Sequence, residues 1–201
     1  MSPELSCCYA GPGRTRGCPS GALGSRTMSS TAHTFTCSCC HGEHAGPALS
    51  HSAKAPDLWH PQYAEDTDSM LTADLCSIKG QALFIHGLSE IPVRDTGEIF
   101  SWGVWSSLSA PNFARAVERW QDEDRDQEPA YFGWLSTELP LYGVSTMILK
   151  TQVHTRPLGR RPFIELEPTD HPLAVEQREG ITAARVAEIA ELVLRQGRIE
   201  P

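Results

Sequence analysis

Cys37-Ser38-Cys39-Cys40 sets two thiols, Cys37 and Cys40, two residues apart, a spacing that turns both sulfurs toward one tetrahedral zinc ion from a single tight knuckle. His44 follows within reach, and Cys76, just before the first strongly β-favouring run, is the natural fourth ligand. Together they predict a structural Cys3His zinc site. Complete zinc sites usually show two such pairs, so Cys39, His41 and His51 leave the choice of ligands open. Small buried thiols and a redox pair are the competing readings. A thioredoxin-like pair needs a preceding strand and a following helix, whereas Gly42 to Pro47 reads as loop.

A second constellation lies downstream. Lys150, Gln152 and His154 alternate onto one face of a strand, and Glu165 and Glu167 onto one face of the next. Antiparallel pairing would set His154 and Lys150 beside two carboxylates, where a histidine can act as general base or ligand. The plainer reading is a solvent-facing hairpin laced by cross-strand charge pairs, with Ile164 and Leu166 inward. In Pro168-Thr169-Asp170-His171-Pro172 two prolines stiffen the backbone and Asp170 is placed to orient the His171 imidazole. Turn bonding by Thr169 and Asp170 accounts for the same residues, and no nucleophile accompanies them. Tyr131-Phe132-Gly133-Trp134, with Trp102 and Trp105, offers a ligand pocket or core. Alternation lets at most half of that stretch face one cleft, and the core is the stronger expectation.

These residues need elements to position them. The chain has 201 residues, 40% of them hydrophobic, enough for one sizeable core and too few for two generous domains. No run approaches the roughly 18 to 20 apolar residues that span a bilayer, so no membrane partner is expected. Residues 1–33 are rich in Gly, Ser, Pro and Arg without periodicity, which predicts a disordered leader upstream of a true start at Met28. Residues 34–201 then form a single domain. The formal net charge is -8, and Arg14, Arg16 and Arg26 against Glu4 make the leader basic, so the rest is more acidic still. That balance disfavours nucleic acid. Seven cysteines, clustered and odd in number, argue against an extracellular disulfide framework and for a reducing, cytoplasmic setting.

After an irregular acidic stretch over Ser50 to Asp74, strands are predicted over Ala82 to Ile91, Ile99 to Leu108, Tyr131 to Leu135, Thr146 to His154 and Phe163 to Glu167. Asp95-Thr96-Gly97 joins the first two as a hairpin. Ser109 caps a helix through Trp120, and Thr182 caps one lined by Val186, Ile189 and Val193 that stops at Gly197. Asp122 to Glu128 reads as a solvated linker. The expected class is α+β: a mostly antiparallel sheet of about five to six strands covered by two main helices, with an N-terminal zinc-knuckle-like loop. No phosphate-binding loop, nucleophile elbow or His-Glu-x-x-His motif occurs.

Read in order, several stretches resemble a bacterial family of uncharacterised proteins, the domain of unknown function 2199, over about Phe35 to Arg195. The carriers begin with Cys37-Ser38-Cys39-Cys40 and His44, Phe84-Ile85-His86-Gly87 and Glu90-Ile91-Pro92-Val93. Phe100-Ser101-Trp102-Gly103-Val104-Trp105 follows, ending in Ser107-Leu108-Ser109, then Tyr131-Phe132-Gly133-Trp134-Leu135 and His154-Thr155-Arg156-Pro157. The last is the run from Ile164-Glu165-Leu166-Glu167-Pro168 through His171-Pro172 and Glu176-Gln177-Arg178 to Gly180-Ile181. The resemblance implies that Cys37, Cys40 and Cys76 belong to the family pattern, that Cys39 is incidental, and that His41 replaces a usual glycine. It brings no activity. The function is therefore unknown. The leading expectation is a small acidic binding or regulatory module with a structural zinc knuckle and a protein or cationic partner. The alternative is a hydrolase-type enzyme with His154 or His171 as base or ligand and Glu165, Glu167 or Asp170 in support. A regulator that neutralises a basic partner is a third option, resting on acidity and size alone.

Overall fold

A computed structural model describes residues 34–36, 43–45 and 47–196. The chain divides into two units, Met1–Pro47 and Ala48–Pro201. In the first, β1 (Thr34–Thr36) pairs antiparallel with β2 (Glu43–Ala45), Phe35 opposite His44. The leader and the Cys37 to Cys40 segment lie outside the described residues.

The second unit is built on one long hairpin, β6 (Ala82–Pro92) and β7 (Ile99–Leu108), paired from Leu83 with Leu108 to Pro92 with Ile99. The Asp95 to Gly97 turn closes it as expected, with Gly97 N–H donating to Val93 O and Gly97 at a φ of 74° that glycine adopts without strain. Each strand of this ribbon is long enough to serve two neighbours on its outer edge. Along β6 these are β5 (Leu75–Ile78), itself paired with β4 (Met70–Leu71), and then β10 (Phe163–Leu166) at Leu88. Along β7 they are β3 (Ser50–Ser52) and β8 (Tyr131–Leu135). β9 (Lys150–His154) joins β8 to β10.

The order β6-β7-β8-β9-β10 thus returns to β6, and the five strands close into a barrel with three further strands alongside. This corrects the expected open sheet under two helices. In an up-and-down series of five the last strand runs in the direction of the first, so closure requires a parallel pair, which no hairpin turn announces. Among the described residues three α-helices, not two, accompany the barrel: α1 (Ala110–Glu118), α2 (Pro172–Glu179) and α3 (Ala183–Gln196). α1 starts at Ser109, whose Oγ accepts from Asn112 N–H. α3 buries Val186, Ile189 and Val193 as their spacing requires, and Asp95 accepts from its Ala183 N–H.

The ribbon is buried on both faces, which explains its nearly unbroken apolar sequence. Ile85, Ile91, Phe100, Trp102 and Val104 join the main core with Tyr131, Val153, Ile164 and the helical residues Leu173 and Ile189. On the other face Phe84 and Trp105 pack with Cys76 and Ile78. The charge run expected as a solvated linker holds an exception. Arg125 is buried, its guanidinium donating to the carbonyls of Trp120, Arg156 and Arg160 while stacking on Trp120. It clamps the β9 to β10 loop, a role that a string of charges conceals.

Candidate functional site

The β9 and β10 residues singled out by spacing come together on the outer barrel wall. Gln152 lies opposite Glu165 and His154 opposite Phe163. His154 Nε2 is 2.8 Å from Glu165 Oε2, Lys150 Nζ is 3.7 Å from Glu167, and Gln152 donates to Glu167. Ile164 and Leu166 point inward. His154 and Glu165 remain 41% and 52% exposed as side chains, so this is a laced hairpin face rather than a cleft. His171 sits elsewhere, as the N-cap of α2. Its Nδ1 accepts from Leu173 N–H and its Nε2 lies 3.4 Å from Val144 O, an arrangement that calls for the neutral ring protonated at Nε2. Backbone groups therefore hold this imidazole, while Asp170 is exposed and makes no hydrogen bond or ion pair among the described residues.

Of the expected zinc ligands, Cys37 and Cys40 lie outside the described residues and His44 falls in β2. Cys76 is fully buried on β5, and burial pushes its thiol up to about 11. Among the described residues no three His, Cys, Asp or Glu side chains are grouped to hold a metal.

Spacing did not single out His86, and it raised His51 only as an alternative zinc ligand. Both are 2% exposed. His86 lies flat on Trp105, ring centres 4.9 Å apart, with Nε2 3.2 Å from Ser52 Oγ. His51 packs against Phe100 and Trp102, and neither of its nitrogens has a partner among the described residues. Burial lowers both to about 4, assisted at His86 by Arg161 and opposed by Asp74. They are neutral aromatic core residues at neutral pH. The Ser52 and His86 pair has hydroxyl and imidazole in reach but is too enclosed to meet a substrate.

A surface site with side chains not committed to the fold lies where β7, α1 and β8 meet. Gly133 makes it possible, because a Cβ there would collide with Ser107 O and Ser106 Oγ. Only glycine lets β8 lie this close to β7. Alternation then sends Tyr131 inward and Phe132 and Trp134 outward, so half of the aromatic stretch is core and half is not. Phe132 and Trp134 are 40% and 41% exposed and meet edge to face at 5.2 Å. They wall a shallow, half-open groove shared with Ser107, Ser109 and Asn112 and lined by no charged side chain.

The tryptophans differ in one atom's fate. Trp102 Nε1 donates to Tyr142 Oη at 3.1 Å and Trp105 Nε1 to Ala53 O at 2.9 Å. The indole N–H of Trp134, the Asn112 side-chain amide and the Ser107 hydroxyl have no partner among the described residues. A second groove, of about 310 Å³, lies between β6 and β10. Its polar groups are occupied: Glu90 by Arg156 through two bonds of 2.7 Å, Glu165 by His154, and Arg178 by the carbonyls of Thr169 and Ala174. Gln177 is held between Ser89, Ile164 and Leu166.

A family model described as "Uncharacterized protein conserved in bacteria" matches residues 36–181, which take in every strand and helix named above except β1, whose last residue alone is included, and α3. No curated protein and no solved structure matches the chain.

Proposed function

The chain belongs to the family of uncharacterised bacterial proteins DUF2199, and from that premise we propose that it is a binding module whose ligand seat is the groove between β7, α1 and β8. The observation that carries this reading is Trp134, a half-exposed indole with an unpartnered N–H beside Phe132, Ser107 and Asn112. Apolar walls with a few convergent, uncommitted polar groups are what a ligand site requires. The histidines that an enzyme would use support catalysis less well. His154 is tied to Glu165 on an open strand face and His171 is held in a helix cap. No helix among the described residues is long and apolar enough to cross a membrane.

A fragment screen followed in proton–nitrogen NMR spectra tests the reading. Hits that perturb the Trp134 indole signal above the other four and vanish in Trp134→Ala support it. Hits concentrated on the groove between β6 and β10, or none at all, refute it.

The spacing of Cys37 and Cys40, with His44 after them and Cys76 in the family pattern, supports a structural zinc in the same reading and a reducing, cytoplasmic setting. Elemental mass spectrometry on the untagged chain should find about one zinc per chain, lost in Cys40→Ser. Metal-free protein from a chelator-free preparation would make those thiols structural or redox-active.

A further inference from the structure

We infer that the ligand of the Trp134 groove is a neutral saccharide, an inference that rests on the binding-module reading above. Charge is the first constraint. None of the residues lining the groove carries a charge, so a carboxylate, phosphate or ammonium entering it would lose hydration without a counter-ion. The chain's net charge of -8 adds a general repulsion toward phosphodiesters. The second constraint is the kind of polar group on offer. Trp134 supplies a donor only, whereas Asn112 and Ser107 each supply both donor and acceptor. A ligand rich in hydroxyls satisfies such a mixed set, because each hydroxyl donates and accepts.

Shape is the third constraint. Phe132 and Trp134 expose about two fifths of their surface, with ring planes at 82°, which presents ring faces and edges around a short notch. A pyranose ring has an apolar side of C–H bonds carrying slight positive charge, matched to the negative face of an indole or phenyl ring. Its hydroxyls lie at the rim of the ring, free to meet the Asn112 amide and the Ser107 hydroxyl that line the same groove. Gln152, opposite Phe132, extends the polar border over which a longer chain of sugars would run, and the nearby cation Lys150, opposite Trp134, is directed to Glu167 at 3.7 Å. A proline-rich peptide needs successive aromatic-walled slots along its length. Here a single aromatic pair stands beside a small polar patch.

The test uses the full chain on an array of neutral and acidic oligosaccharides. The strongest neutral glycan is then titrated by NMR against the parent, Trp134→Ala, Asn112→Ala, and Glu165→Gln in the other groove. The inference predicts binding that moves the Trp134 indole signal, weakens about tenfold or more in Trp134→Ala and Asn112→Ala, and is unchanged in Glu165→Gln. Should Trp134→Ala fail to fold, Phe132→Ala and the indole shift of the parent carry the comparison. If neutral glycans fail while a nine-residue polyproline peptide binds and depends on Trp134, the saccharide class is overturned and the groove stands. If neither probe moves that indole signal, both readings fall. Preference for acidic glycans would also overturn the inference, since nothing lining the groove neutralises them.

Discussion

The barrel has two junctions beside its central ribbon, and they use their side chains in opposite ways. Where β7 meets β8 the backbones pair antiparallel over three successive positions, Ser106 with Leu135 through Leu108 with Gly133. Where β10 meets β6 they pair parallel at one position, Phe163 with Leu88. Continued by two residues, that second ladder would offer Ile164 O and Leu166 N–H to Glu90. The side chain of Gln177 takes both instead, donating to Ile164 O at 2.8 Å and accepting from Leu166 N–H at 2.7 Å, while its amide also reaches Ser89. An amide has the donor and acceptor of a peptide unit, so Gln177 replaces a missing rung of the ladder. Backbone that pairs with itself leaves nearby side chains uncommitted, as at Trp134 and Asn112. Backbone that cannot do so draws side chains into structure, as at Gln177.

The largest effect should come from two histidines, one on the ribbon that both junctions share and one packed against it. His51 and His86 have pKa values lowered to about 4 from 6.5, so the unfolded chain binds more protons between those values. Stability is then full above pH 6.5 and falls as pH drops toward 4, by roughly 3 kcal/mol for each ring. Glu128, held down to about 2 chiefly by its bonds to Arg115, loses its contribution only below the ordinary carboxylate range. Denaturant melts at pH 7, 5.5 and 4.5 therefore isolate the histidines. A flat profile across that window would mean that the rings are hydrated or paired.

Next in size is the seam. Gln177→Ala leaves a buried N–H, a carbonyl and Ser89 without their partner and should cost about 2–4 kcal/mol in denaturant unfolding. Gln177→Glu retains an acceptor for Leu166 N–H but no donor for Ile164 O, so it should recover only part of the loss. A loss under about 0.5 kcal/mol in Gln177→Ala would erase the contrast between the junctions. The smallest effect on stability belongs to the other junction. Asn112→Ala removes an unbonded side chain and should stay within about 0.5 kcal/mol of the parent, and Trp134→Ala, at a ring 41% exposed, should cost clearly less than the roughly 3–5 kcal/mol expected of Trp105→Ala.

Local features of the fold were legible because the interactions that set them are local. The Asp95 to Gly97 turn, the Ser109 cap, the stripe of Val186, Ile189 and Val193, and the outward Lys150, Gln152 and His154 each follow from neighbours a few residues apart. Barrel closure was not legible, since it joins Leu88 to Phe163 through one parallel pair and depends on Gln177, a residue with no periodic signature. Arg125 hid among solvated charges for a similar reason: its carbonyl partners Arg156 and Arg160 lie far along the chain. The candidate site was half legible. Alternation said that Phe132 and Tyr131 face opposite ways, but only the close approach of Gly133 to Ser106 and Ser107 shows which way is out.

Solvent exchange of the indole N–H protons tests the central claim most directly. In the free protein Trp102 and Trp105, bonded to Tyr142 and Ala53, should exchange slowly, and Trp134 should exchange at close to the rate of an exposed indole until a groove ligand is added. A Trp134 indole already protected without ligand would show that the chain itself holds that N–H, and the groove would then be a piece of structure rather than a binding site.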